Sequence, residues 1–146
     1  MKKSKTKAYI RKEIYDMETI LSHADVDFGL NKVYNKRNEK KYVDLDGDFV
    51  KINSQRYQLF KHKGCTCVKC GLVGTYFAKE KAEQDARYHL NLYGKNSEGE
   101  EIMLTKDHII PKSLGGLNHL SNYQTMCKIC NEEKGNQIEE DKNYEG

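Results

Sequence analysis

The sequence predicts an α+β protein: a β-hairpin and short helix clamped by four cysteines, behind a basic, helical N-terminal extension. Three observations predict it. Cys67-x-x-Cys70 and Cys127-x-x-Cys130 are two thiol pairs at metal-ligand spacing. Between them, Ala86 to Tyr93 and Glu100 to Thr105 read as strands joined by the polar turn Gly94 to Gly99. Ahead of them, Ile10, Ile14, Met17, Ile20 and Leu21 recur at three- and four-residue steps between Lys7 and Leu21, which is the pattern of an amphipathic helix.

Taken in order, residues 1–53 form the basic extension, 54–137 the cysteine-clamped domain and 138–146 an acidic tail. The first helix is expected to end at the polar run Ser22 to Asp25. Asn31 to Asp48 mixes Asn, Lys, Asp and Gly and reads as loop with one short strand at most. Its Asp44-Leu-Asp-Gly-Asp48 run lacks the sixth-position Gly and twelfth-position Glu of a calcium loop, so an Asp/Gly turn is the better reading. Ser54 is placed to cap a helix running to Lys63, with Tyr57 and Phe60 inward and Gly64 ending it. Leu72 to Ala78 reads as a strand. Asp107 to Ile110 extends the second hairpin strand until Pro111 and Gly115-Gly116 open a loop, and a short helix from Cys127 ends near Gly135.

A chain of 146 residues is enough for one modest core. The net charge of +3 conceals an asymmetry: residues 1–70 hold 16 basic and 9 acidic side chains, and residues 71–146 hold 9 and 13. That division suits a protein whose front half meets phosphates and whose back half holds cations. No apolar run approaches a membrane span, and the basic N-terminus is not followed by a signal-type apolar stretch. The expectation is a cytoplasmic protein. Its five cysteines then point to metal or free thiols, not disulfides.

Two Cys-x-x-Cys pairs supply a closed tetrahedral thiolate set, which makes zinc the expected ion and its role structural. The two pairs are 56 residues apart, too far for a simple zinc ribbon, so the metal encloses a hairpin. Cys65-Thr-Cys67 is a poorer chelate, which leaves Cys65 as the spare thiol.

The enclosed segment carries Asp107-His108-Ile-Ile-Pro111, then Asn122, then Asn131 and Lys134 directly after the second pair. Phosphodiester hydrolysis needs an activated water, a cation on the phosphate and fixed geometry. Imidazole is the side chain suited to take a proton from water near neutrality, which makes His108 the candidate base, and Asp107 and Asn131 offer hard oxygens of the kind magnesium takes. Adjacent strand residues point to opposite sides, so whether Asp107 and His108 share a centre depends on how the strand ends.

These residues, together with Gly115-Gly116 and Cys67-x-x-Cys70-Gly71, resemble the HNH endonuclease family in its four-cysteine zinc form, and the style is similar to small phage and bacterial members. The resemblance covers about residues 54–137 and is strongest from 104 to 134. It implies a ββα-metal core, with His108 as general base and Asp107 as ligand of a catalytic magnesium or manganese ion. Asn122 would be the middle residue that holds the loop and orients the histidine. Asn131 stands at the third position, where many members have His, and would bind the ion through its amide oxygen.

The substrate implied is DNA, double-stranded and read with little sequence preference. Lys2, Lys3, Lys5 and Lys7, and then Lys36, Arg37, Lys40 and Lys41, are the natural phosphate contacts. Lys112, His119 and Lys134 are lesser candidates; His119 is more simply a solvated loop residue and Lys134 a helix C-terminal charge. The alternative is a non-catalytic zinc module that binds DNA or protein. A nuclease for RNA or branched DNA is compatible with the same residues.

Overall fold

The computed structural model describes residues 9–24 and 42–137. The two lysine-rich clusters at 2–7 and 36–41 and the acidic tail at 138–146 lie outside the described residues. The described chain runs β1 (Ile10–Asp16), α1 (Met17–Leu21), β2 (Tyr42–Leu45), β3 (Asp48–Lys51), α2 (Gln55–Lys63), β4 (Tyr76–Lys81), β5 (His89–Lys95), β6 (Glu101–His108), β7 (Tyr123–Cys127) and α3 (Lys128–Lys134). Two 3-10 turns, Lys112–Leu114 and Leu120–Asn122, lie in the loop between β6 and β7.

Five strands form one antiparallel sheet in the order β1-β4-β5-β6-β7. Register puts Phe77, Leu92, Leu104 and Cys127 in one row across four strands. The three apolar side chains of that row are fully buried, each worth about 1.5–3 kcal/mol of apolar burial. Helix α2 covers this face with Tyr57, Leu59 and Phe60, and Ile20, Leu45, Val50 and Ile52 join the same core. Residues on both sides of position 53 therefore share one interior.

The expected N-terminal helix is a correction. Residues 10–16 are a strand on the sheet edge, and only Met17–Leu21 are helical. The ladder to β4 slips between Arg11 and Ile14, and this bulge breaks the two-residue alternation. Ile10 and Ile14 are left 42% and 50% exposed while Ile20 is fully buried. A bulged strand running into a short helix thus imitates helical spacing.

Elsewhere the agreement is partial: the strand expected over Leu72 to Ala78 is Tyr76–Lys81, and the one expected over Ala86 to Tyr93 is His89–Lys95. Asp46 and Gly47 turn β2 into β3 with positive φ at both, and Asp44 Oδ1 accepts from Gly47 N at 2.9 Å. Helix α2 starts after Ser54 and stops at Gly64 as expected, although the Ser54 hydroxyl makes no capping bond. Strand β7 was not anticipated. It pairs with β6 from Leu104↔Cys127 to His108↔Tyr123, so two antiparallel strands followed by helix α3 hold the conspicuous residues.

Candidate active site

The first Cys-x-x-Cys turn lies against the outer edge of β7, where Val68 N donates to Thr125 O at 2.9 Å. The second turn begins α3. Together they bring the sulfurs of Cys67, Cys70, Cys127 and Cys130 within 4.8 Å of one another, with Cys70 and Cys127 Sγ 3.8 Å apart. Tetrahedral zinc–thiolate bonds of about 2.3 Å put sulfurs about 3.8 Å apart, so this set fits zinc and could hold it. Backbone amides already point at the sulfurs: Lys69 N and Cys70 N at Cys67, and Cys130 N at Cys127, each at 3.4 Å. Burial would raise the Cys67 thiol, but those amides outweigh it and bring it down to about 7. Cys130 moves the other way, raised by burial and by its neighbouring thiols. Four thiolates this close need a cation to coexist. Cys65 stands outside the set, its thiol pushed up to about 11 by burial.

Asp107 and His108 end β6 and point to opposite faces, as strand alternation requires. Asp107 is buried at 5% exposure. Its Oδ2 accepts from Gln124 Nε2 at 2.9 Å and lies 3.2 Å from Lys134 Nζ. Lys134 is itself 2% exposed and also donates to His108 O at 2.8 Å. It is therefore an ion-pair partner of Asp107, not a surface phosphate contact. One helical turn earlier, Asn131 Nδ2 donates to Thr105 Oγ1 at 2.8 Å, and Thr105 shares the Asp107 face of β6. Asp107, Asn131 and Lys134 thus come together between β6 and α3, while His108 lies across the strand.

A carboxylate and a carboxamide on one interface are a fitting donor pair for a hard divalent ion, with most coordination positions left to water and phosphate. The Lys134 ammonium already neutralises the Asp107 carboxylate, so a divalent ion would share that carboxylate with it.

On the other face, His108 packs edge-on against Tyr123, with ring centroids 5.0 Å apart. Its Nε2 lies 2.7 Å from Asn118 Oδ1. An amide oxygen only accepts, so Nε2 carries the proton and the basic lone pair is on Nδ1. Lys106, two residues earlier on the same face, sits 4.3 Å from the centroid of the Tyr123 ring and donates to Gln55 Oε1 at 3.2 Å. Burial lowers the pKa of Lys106, and the charges of Arg56 and Lys112 lower it further.

Asn122 closes the intervening loop. Its Oδ1 accepts from Ile110 N at 2.9 Å, and its Nδ2 donates to Ile110 O at 3.0 Å and Leu117 O at 2.9 Å. Gly116 makes this possible, since a Cβ there would lie 1.7 Å from Ile110 O and 2.8 Å from Asn122 Nδ2. The loop so fixed carries Asn118 to His108. His119 serves the loop as well: its Nδ1 accepts from Ser121 N at 3.1 Å.

Asn118, Gln124 and Arg56 also belong to the site and do not stand out in the sequence. Asn118 had a weak signal, lying between Gly115-Gly116 and Asn122. Gln124 and Arg56 had none, because only strand register and helix placement bring them to the site.

Residues 94–143 match the family model described as HNH endonuclease, which supports membership of that family. No curated protein and no solved structure matches the chain. The matched segment contains the second cysteine pair and all four motif residues, so a nuclease-related function in general is supported.

Proposed function

Because residues 94–143 match the HNH endonuclease family, we propose that the chain is a metal-dependent endonuclease that hydrolyses DNA phosphodiester bonds. The observation that supports it most is the end of β6. One peptide separates an imidazole whose tautomer Asn118 sets from a buried carboxylate that already attracts a cation. His108 is the general base, taking a proton from water at Nδ1. Asp107 and Asn131 hold a magnesium or manganese ion, which supplies the positive charge that the phosphoryl group and leaving oxygen need when it is bound. Asn122 positions the loop and makes no contact with substrate. The scissile phosphate lies across the strand end, reached by His108 from one face and by the Asp107–Asn131 side from the other. The four cysteines hold zinc as a structural tie. Double-stranded DNA is the proposed substrate, in the cytoplasm.

One observation favours a second reading. Asp107 and Lys134 form an almost fully enclosed ion pair, which a non-catalytic zinc module could keep for rigidity alone. Supercoiled plasmid separates the two. The nuclease nicks or linearises it with magnesium or manganese and leaves it intact when the zinc-loaded protein is given neither ion. Intact plasmid under every ion condition, with zinc bound and the protein folded, overturns the nuclease reading.

A further inference from the structure

The ladder between β5 and β6 ends at Leu92↔Leu104. Beyond that pair the strands separate, and helix α2 fills the gap. Leu90 N finds its partner on α2, donating to the Tyr57 hydroxyl at 3.2 Å. Leu90 O is held by the Arg56 guanidinium, which also donates to Asn91 Oδ1 at 3.0 Å. Lys106 reaches Gln55, the residue before Arg56 on α2, and the Arg56 charge acts on the Lys106 ammonium. Among the described residues every partner of these two cations is neutral: Asn91, Leu90 O and Tyr57 for Arg56, and Gln55 and the Tyr123 ring for Lys106. Among the described residues neither is paired with a carboxylate. Arg11, Lys79 and Lys134 differ in this respect, each meeting a carboxylate. Lys112 adds a third positive charge nearby, and the first turn of α2 contains no acidic residue.

Two neighbouring cations with no carboxylate partner among the described residues, one of them half-buried, are unfavourable in isolation and become favourable around an anion. Their place says which anion. Lys106 and His108 share one face of β6 and touch the same Tyr123 ring, at 4.3 and 5.0 Å. We propose that Arg56 and Lys106 form a phosphate-binding site beside His108 that takes a backbone phosphate of the nucleic-acid substrate next to the one being cut. The proposal rests on the nuclease reading and names a substrate contact that the family motif does not include. Arg56, pinned by Asn91 and Leu90 O, presents its fork without having to order it first, and Lys106 supplies a point charge over an aromatic platform. The contact carries no sequence information and holds the strand equally in ground and transition states.

The test uses the full chain with zinc and a labelled duplex, with calcium replacing magnesium in the binding arm. Lys106→Met lowers affinity several-fold and reduces the slope of log affinity against log salt by about 0.9, the share of one phosphate contact on duplex DNA. Arg56→Met does the same, and Lys106→Arg restores the slope. Lys95→Met, at an exposed position on β5, leaves it unchanged. In the magnesium arm, KM rises for Lys106→Met while kcat stays near wild type. An unchanged slope and KM in Lys106→Met, with wild type cutting normally, overturns the phosphate site and leaves the nuclease reading standing. A slope that falls as predicted, in a wild type that never cuts, supports the site and overturns the catalytic reading.

Discussion

Replacing Asn122 by alanine removes three hydrogen bonds from one buried carboxamide: one accepted from Ile110 N, and one donated to each of Ile110 O and Leu117 O. A buried bond of this kind contributes about 0.5–1.5 kcal/mol net, and more where its partner stays dry. Ile110 and Leu117 are 42% and 66% exposed, so water can reach part of what the amide leaves behind. The expected loss is about 2–4 kcal/mol, or roughly 10 °C in Tm for a domain of this size. Asn122→Asp discriminates further. The carboxylate keeps the bond from Ile110 N but turns an oxygen towards two carbonyls, so at neutral pH it costs at least as much as alanine. Its penalty shrinks as pH falls towards the ordinary carboxyl range, where a protonated oxygen can donate again. Urea unfolding of the zinc-loaded protein measures both variants against wild type. Activity falls with stability because the loop that presents Asn118 to His108 loosens. An aspartate variant as stable as wild type at pH 7, or an alanine variant within about 0.5 kcal/mol, would refute the stapled-loop account.

Two further outcomes follow from the site. Lys134→Met leaves the Asp107 carboxylate buried without its cation, which costs about 3–5 kcal/mol; unfolding in magnesium or manganese recovers part of that loss, and an equal loss with and without the ion contradicts a cation site at Asp107. Cys67→Ser or Cys127→Ser releases the bound zinc and lowers Tm, whereas Cys65→Ser keeps one zinc per chain by elemental analysis, because its thiol lies outside the four-sulfur set.

The parts of this site legible in sequence are those whose chemistry is local. A Cys-x-x-Cys pair carries its own ligand geometry, and it does so twice here. Asp46-Gly47 and Gly64 announce their turns through backbone preference. Asn122 was legible as a loop-holding residue, though the particular carbonyls it binds were not. What stayed hidden depends on register. Ile10 and Ile14 do not follow one strand alternation because a bulge lies between them in β1. Arg56 comes beside Lys106 only because β5 and β6 part after Leu92 and Leu104. Lys134 reads as an ordinary C-terminal helix charge until α3 is laid on β6 and the ammonium disappears against Asp107.

The assignment of His108 as the base is tested most directly by single-turnover cleavage of supercoiled plasmid by wild type and His108→Ala, matched for zinc content and thermal unfolding. His108 is half-buried at the strand end, so its replacement leaves the fold intact, and the account predicts a rate lower by about 10²–10⁴, the usual contribution of a general base. Equal rates for the two proteins would contradict it.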